Sequence, residues 1–464
     1  MKRTKIVCTI GPASEKQETL VKMIKAGMNV ARLNMSHGAY DWHKQAAKNI
    51  RAAAKKVGEP VALLLDLQGP KVRVGELGIM NYELRVGERV VFTTGEAPTK
   101  KIPIDYPLLH KEIKKGHRIL LADGLMECVV EAVQGRDIVA RVKTGGVLIS
   151  HKGINLPDTV ISLKTLTPKD KKDLVFGVKQ NVDFIAFSFA RSAKDVLELR
   201  KLIDKAVKSS LHPPLIRQLA EGKRGGFVPI QIIVKIEKHE AVKNFDAILA
   251  AADGIMVARG DLALEIDSAK VPLAQKEIII KCRKAGKPVI VATEMLGSME
   301  KNPRPTRAEI SDVANAVIDH TDAVMLSAES AMGKYPVETV ATMAKIIKET
   351  EASRFDNVAV EEEIKMPVLG DEALLAAVMR ARQQKAKAMV IFSPSSREAR
   401  LLSRFRAEIP IVAGSSRSRA VRQMNLSWGV YPRQAVSGKQ LWLEAKHLLK
   451  LKGKDEVVVK NNVL

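Results

Sequence analysis

The chain has 464 residues and a formal net charge of +24, with 46% hydrophobic and 28% charged side chains, so it is too long for one compact core and reads as a globular protein of two or three domains. No apolar run approaches bilayer length. Aromatic residues make up only 4% and no nucleic-acid motif is present, which argues against membrane-spanning and nucleic-acid-binding roles.

The start, MKRTKIVCTIGP, lacks the apolar core and small-residue cleavage site of a leader and reads as a first strand. Beyond it, apolar runs and amphipathic runs alternate: KIVCTIG then a helix through ETLVKMIKAG, NVARLNMS then a helix through WHKQAAKNIRAAAKK, and VALLLDLQG. After an interruption come helix DKKDLVFGVKQ, strand DFIAFSFA and a helix from about 193 to 208. Strands IQIIVKIE, GIMVARG, KPVIVATEM and AVMLSA follow, each trailed by helical sequence. Eight strands in βα alternation predict a (β/α)8 TIM barrel built from 1–70 and 167–348.

The interruption, 71–166, holds short strand-like runs (ERVVFTTG, RILLADG, MECVVEAV, DIVARVK, GGVLISH) set off by Gly and charged turns. It predicts a small inserted β-barrel-like lid over the C-terminal mouth of the barrel. Residues 349–464 open on an acidic linker (Glu361 to Glu363, then MPVLGD) and continue as a C-terminal α/β domain with strands near AMVIFS, IPIVAGS, GVYPRQ and DEVVVK. The Pro-, Gly- and Lys/Arg-bearing stretch Ser209–Pro229 reads as a surface excursion with no assigned function. Cys8, Cys128 and Cys282 lack metal-ligand spacing and read as small buried apolar groups in a cytoplasmic protein. The basic surplus is read as surface character that also steers anionic substrates.

A barrel gathers its chemistry where its strands end. Here strand two ends with Arg32, Asn34, Ser36 and His37, and strand three with Asp66. Strand five ends with Lys235 and Glu237, strand six with Asp261, strand seven with Thr293 and strand eight with Ser327 and Glu329. Lys235 and Glu237, two apart on a strand, leave the same face. A cation beside two carboxylates suits phosphoryl transfer: the carboxylates hold a hard divalent ion, and the ammonium offsets charge on the moving group. Neither a G-x-x-x-x-G-K-[ST] loop nor a protein-kinase signature set occurs.

Seven ordered segments share a further likeness. TKIVCTIGPAS from Thr4, GMNVARLNMSHG from Gly27, DLQGPKVRVG from Asp66, KGINLPDTVISL from Lys152, GKPVIVATEML from Gly286, PRPTRAEISDVANAV from Pro303 and AVMLSAESAMGKYPVE from Ala323 together resemble pyruvate kinases. The resemblance implies phosphoryl transfer from phosphoenolpyruvate to ADP, protonation of the resulting enolate to pyruvate, and a homotetramer. It implies Mg²⁺ or Mn²⁺ on Glu237 and Asp261, with Lys235 and Arg32 at the transferring phosphoryl group. Thr293 would stand by the enolate carbon, and Gly260, Asp261 and Thr293 around the substrate carboxylate. Asn34, His37 and Arg73 would lie on the nucleotide side. The monovalent-ion ligands of the family correspond to Asn34, Ser36, Asp66 and Leu67. Potassium-requiring members carry glutamate where this chain has Lys71 and threonine where it has Leu67, so the resemblance implies that the tethered ammonium of Lys71 replaces K⁺ and that K⁺ is not required. The turn Ser393–Arg397 partly resembles the family's sugar-phosphate effector loop and equally resembles a plain helix cap. Two rival readings are a barrel mutase or lyase acting through an enolate, and a non-enzymatic binding protein.

Overall fold

In the computed structural model, residues 1–78, 81–96, 101–210, 228–356, 372–451 and 457–460 are described. The acidic linker and nearly all of the Ser209–Pro229 stretch lie outside them.

Eight parallel strands close a barrel: β1 (Lys5–Thr9), β2 (Val30–Asn34), β3 (Ala62–Asp66), β4 (Phe184–Phe187), β5 (Gln231–Ile236), β6 (Gly254–Ala258), β7 (Val289–Ala292) and β8 (Ala323–Leu326), with β8 paired back to β1. Helices cover the outside of these strands and side chains fill the inside. Every residue of β1, β3 and β6 is therefore buried, and the strands read as continuous apolar runs rather than alternating ones. Val7, Val30, Leu64, Phe184, Ile233, Met256 and Ile290 pack together inside, joined by Leu426 from the C-terminal unit. The barrel is a packed core, and its chemistry is confined to the rim.

Local signals fix several helix starts. Thr167 and Asp170 form a capping box on helix Pro168–Lys179, and Thr306 and Glu309 another on helix Arg307–Ile318. Asp170 also accepts the Gly69 N–H at 3.1 Å, tying the chain just past β3 to this helix. Gly69 has φ +69°, and a β-carbon there would stand 2.6 Å from the Phe189 ring. Only glycine fits where the chain leaves the barrel for the inserted unit.

The inserted segment forms a six-stranded and a two-stranded sheet. Its dominant hairpin joins Met126–Gln134 to Asp137–Thr144, over a core that includes Val90, Phe92, Ile119, Cys128 and Ile138. Strands Tyr82–Leu84, Ile102–Pro103 and Ile154–Asn155 are too short to carry a readable alternation. One turn of this unit reaches the barrel: a β-carbon on Gly124 would lie 2.6 Å from Leu264.

The C-terminal unit is a parallel sheet of β9 (Ala388–Phe392), β10 (Ile411–Ser415), β11 (Val430–Gln434) and β12 (Val457–Lys460), ordered β11-β10-β9-β12. Ion pairs dock it beneath the barrel, Arg422 to Asp183 at 2.8 Å and Arg406 to Asp322 at 3.1 Å. Lys5 donates to the Val430 carbonyl across this seam. Burial pushes the Lys5 ammonium from 10.5 down to about 8, with Glu351 and Asp322 offsetting part of that. A lysine depressed in the folded state sheds its proton first there, so this group adds stability as pH rises from about 8 to 10.5. Lys5→Met is expected to lose that rise, which amounts to roughly 3 kcal/mol. Urea unfolding of both proteins at pH 7.5 and 10.5 checks it; equal pH slopes would refute the assignment.

Candidate active site

The rim residues of β2 to β6 converge as the sequence suggests. The Lys235 ammonium lies 2.7 Å from Glu237 Oε1 and 3.5 Å from Asp66 Oδ1, and donates to Ser188 Oγ at 3.0 Å. Arg32 donates through Nε to Asp66 Oδ2 at 2.7 Å and through Nη1 to Thr9 Oγ1 at 2.8 Å. Asp66 and Glu237 are each only 1% exposed, so neither carboxylate can rely on water. Burial pushes the Asp66 carboxyl up, but Lys235 and Arg32 more than reverse this and hold it below the usual carboxylate range. Burial likewise pushes Lys235 down, and Asp66 and Glu237 overcome it, leaving the ammonium above its ordinary value. Glu237 moves the other way: burial raises it, and Lys235 only partly compensates.

Glu237 Oε2 accepts the Phe189 N–H at 2.8 Å. Its Oε1 is close to Lys235 yet accepts no aligned hydrogen bond. That oxygen and the Asp261 carboxylate are the atoms with coordinating capacity to spare, and two carboxylates are the donor set of a hard divalent cation. The residues fit such an ion.

Asp261 stands in the first turn of the helix Arg259–Glu265 that follows β6. Beside it Thr293 adopts φ +70°, an outlier for a β-branched residue. Three contacts hold it there. Its Oγ1 accepts the Gly260 N–H at 2.9 Å and donates to the Ala292 carbonyl at 2.6 Å, while Arg259 donates to the Thr293 carbonyl at 2.6 Å. Arg259 is itself clamped to Asp312 at 2.6 Å. Thr293 is thus a positioned hydroxyl, and the Gly260 N–H expected to face substrate is engaged by it.

Two family models match the chain: "Pyruvate kinase, barrel domain" over residues 1–340 and "Pyruvate kinase, alpha/beta domain" over 371–461. A pyruvate kinase of Geobacillus stearothermophilus is 44% identical over 94% of this chain and 72% of the relative. That of Clostridium acetobutylicum is 41% identical over 93% and 88%, and that of Dictyostelium discoideum 42% over 98% and 90%. The chain belongs to the pyruvate kinase family.

Against the pyruvate kinase expectations, the remaining residues divide. Asn34 pairs with Asp66 in the β2–β3 register, and its Oδ1 accepts the Ser36 N–H at 3.1 Å. The Leu67 carbonyl accepts the Ser188 hydroxyl at 2.5 Å. Of the groups aligned with a monovalent-ion site, the Asn34 amide, the Leu67 carbonyl and Asp66, the last through Arg32 and Lys235, therefore already have partners. The Lys71 ammonium does not join them. It lies 3.3 Å from Asp123 of the inserted unit and 3.9 Å from Asp261, spanning the inserted unit and the barrel. Arg73 donates to the His151 carbonyl at 3.1 Å within the inserted unit. His37 is exposed, and its carbonyl lies 2.8 Å from His43 Nε2. Neither Arg73 nor His37 is drawn into the Lys235 cluster. Glu329 accepts the Leu296 and Ser327 N–H groups at 3.2 and 2.7 Å, so this rim carboxylate is a brace between the loops after β7 and β8.

Ser188, Thr9, Arg259 and Asp123 are the participants that sequence reasoning missed. Ser188 was findable, since it is the polar residue just past β4 and obeys the same strand-end rule. In the C-terminal unit, Ser393 donates to the Ser395 carbonyl at 2.6 Å and to Glu398, and Ser395 Oγ reaches Glu398 at 3.3 Å. The hydroxyls of Ser393 and Ser395 in this turn are directed at a carboxylate of their own chain.

Proposed function

We propose that the chain transfers the phosphoryl group of phosphoenolpyruvate to ADP and that the resulting enolate is protonated to pyruvate, with the cluster Arg32, Asp66, Lys235, Glu237 and Asp261 as its centre. The observation that carries this is the Lys235 ammonium locked between the buried carboxylates of Asp66 and Glu237 at the barrel's C-terminal rim. Glu237 and Asp261 would hold Mg²⁺ or Mn²⁺, which when bound supplies positive charge for substrate phosphate and enolate oxygens. Lys235, fixed by three partners, needs no reorganisation to meet charge on the transferring group. Arg32, steered by Asp66 and Thr9, presents a fork that retains its charge at any working pH. Thr293 holds its hydroxyl beside Gly260 and Asp261, in reach of the enolate side; a hydroxyl is too weak an acid to be the final proton source alone.

Lys71 supplies the positive charge that other members take from K⁺, supported by its approach to Asp261 and by the internal partners of Asn34, Asp66 and Leu67. Asn34, His37 and Arg73 are assigned to the nucleotide side, reached when the lid carrying Arg73 moves. Domain divisions near residues 70, 166 and 348 are supported by the separate sheets of the barrel, the inserted segment and the C-terminal unit, although residue 348 lies within the helix Pro336–Glu351. A homotetramer, with subunit contacts built by the C-terminal unit, rests on membership of the family. A phosphorylated effector at Ser393–Arg397 would have to displace Glu398. A cytoplasmic setting fits three buried, free cysteines.

The test is pyruvate formation from phosphoenolpyruvate with Mg²⁺, with and without ADP. Pyruvate that appears only with ADP, matched by ATP, is expected. ADP-independent consumption of phosphoenolpyruvate would favour a lyase or mutase.

A further inference from the structure

We propose that His239, Glu240 and Glu265 form a second divalent-cation site, of the borderline transition-metal class represented by Zn²⁺, distinct from Glu237 and Asp261. His239 and Glu240 open the short helix His239–Lys243 just past β5, and Glu265 closes the helix that begins at Asp261's turn. One ligand atom from each of the three lies within 4.8 Å of the others. His239 Nδ1 is 3.2 Å from Glu240 Oε2 and 3.5 Å from Glu265 Oε2.

A second observation points to a ligand. Glu265 is 7% exposed, and its Oε2 has no hydrogen-bond partner, nor do His239 Nδ1 and Glu240 Oε2. The opposite oxygen, Glu265 Oε1, accepts Lys238 Nζ at 2.6 Å, which fixes the carboxylate with Oε2 aimed into the cluster. Lys238 engages only the far oxygen of Glu265, so the three facing atoms are left without a hydrogen-bond partner where they meet.

The dimensions suit a small ion. Ligands about 2.1 Å from a tetrahedral Zn²⁺ lie about 3.4 Å apart, close to the 3.2 and 3.5 Å here. An imidazole among the donors favours zinc-class ions over Mg²⁺. The ion would pin together the two loops that carry Glu237 and Asp261. A direct contact of His239 with the two carboxylates is the alternative without a metal, and the experiment separates the two.

The full chain is saturated with Mg²⁺, to occupy Glu237 and Asp261, and titrated with Zn²⁺ against a chromogenic chelator. One Mg²⁺-resistant equivalent of Zn²⁺ is expected. His239→Ala and Glu265→Gln should each weaken it at least about tenfold, while Glu237→Gln should leave it unchanged. His239 is partly exposed, so its variant should keep the fold and decides alone if Glu265→Gln does not. No resistant equivalent, one undiminished in His239→Ala, or one lost in Glu237→Gln would each overturn the site.

Discussion

Lys235→Ala is expected to lower kcat for pyruvate formation roughly 10³-fold or more with KM for phosphoenolpyruvate changed far less. At about 1.4 kcal/mol per tenfold, the loss is about 4 kcal/mol of transition-state stabilisation. The ammonium is already largely desolvated and held by Ser188, Glu237 and Asp66, so it acts at full strength where charge develops. Two effects compete in the variant. Loss of the transition-state contact lowers kcat, whereas leaving Glu237 buried without its cation lowers stability. Asp66 keeps Arg32 in either case. Steady-state kinetics beside thermal unfolding separates the two, and a folded variant within tenfold of wild-type kcat would remove Lys235 from the mechanism.

Wild-type turnover is expected to be the same with and without K⁺ at constant ionic strength, and Lys71→Glu to fall about 10²-fold without K⁺ and recover in part when K⁺ is added. Lys71 sits where the chain leaves β3 for the lid, with its ammonium toward Asp123 and Asp261. Reversing its charge puts a carboxylate beside Asp261 and severs a link between the inserted unit and the barrel. Because two roles are joined in one residue, Asp123→Asn serves as the control. It weakens the lid contact while leaving the Lys71 charge in place, so it should not create a K⁺ requirement. Wild-type activity that climbs many-fold with KCl would refute the built-in cation.

Much of the fold was legible because the barrel repeats one local rule. The strands are buried nearly throughout and therefore mostly apolar, and a polar residue stands at or just past the end of each. Alternation with amphipathic helices makes the count readable without tertiary information. The lid was legible in texture but not in full: Tyr82–Leu84, Ile102–Pro103 and Ile154–Asn155 exist because neighbours pair with them, and two or three residues carry no period of their own. The site was legible where strand-end position is enough, as for Lys235, Glu237 and Asp261. Sequence reasoning missed Ser188, although the same rule covers it, and gave Glu329 a place in the chemistry that its two backbone N–H partners do not support.

The order of residues along the chain by itself determined a βα barrel with an inserted β unit and placed Arg32, Asp66, Lys235, Glu237, Asp261 and Thr293 on one rim, because strand period and strand ends are local properties. Only the tertiary structure decided which of them touch. Arg32 and Lys235 share Asp66 because barrel closure brings the ends of β2, β3 and β5 to a common axis across some 200 residues of chain. The direction of Lys71 and the meeting of His239 with Glu265 were decided in the same way, by a lid turn and a helix end whose approach no local pattern encodes.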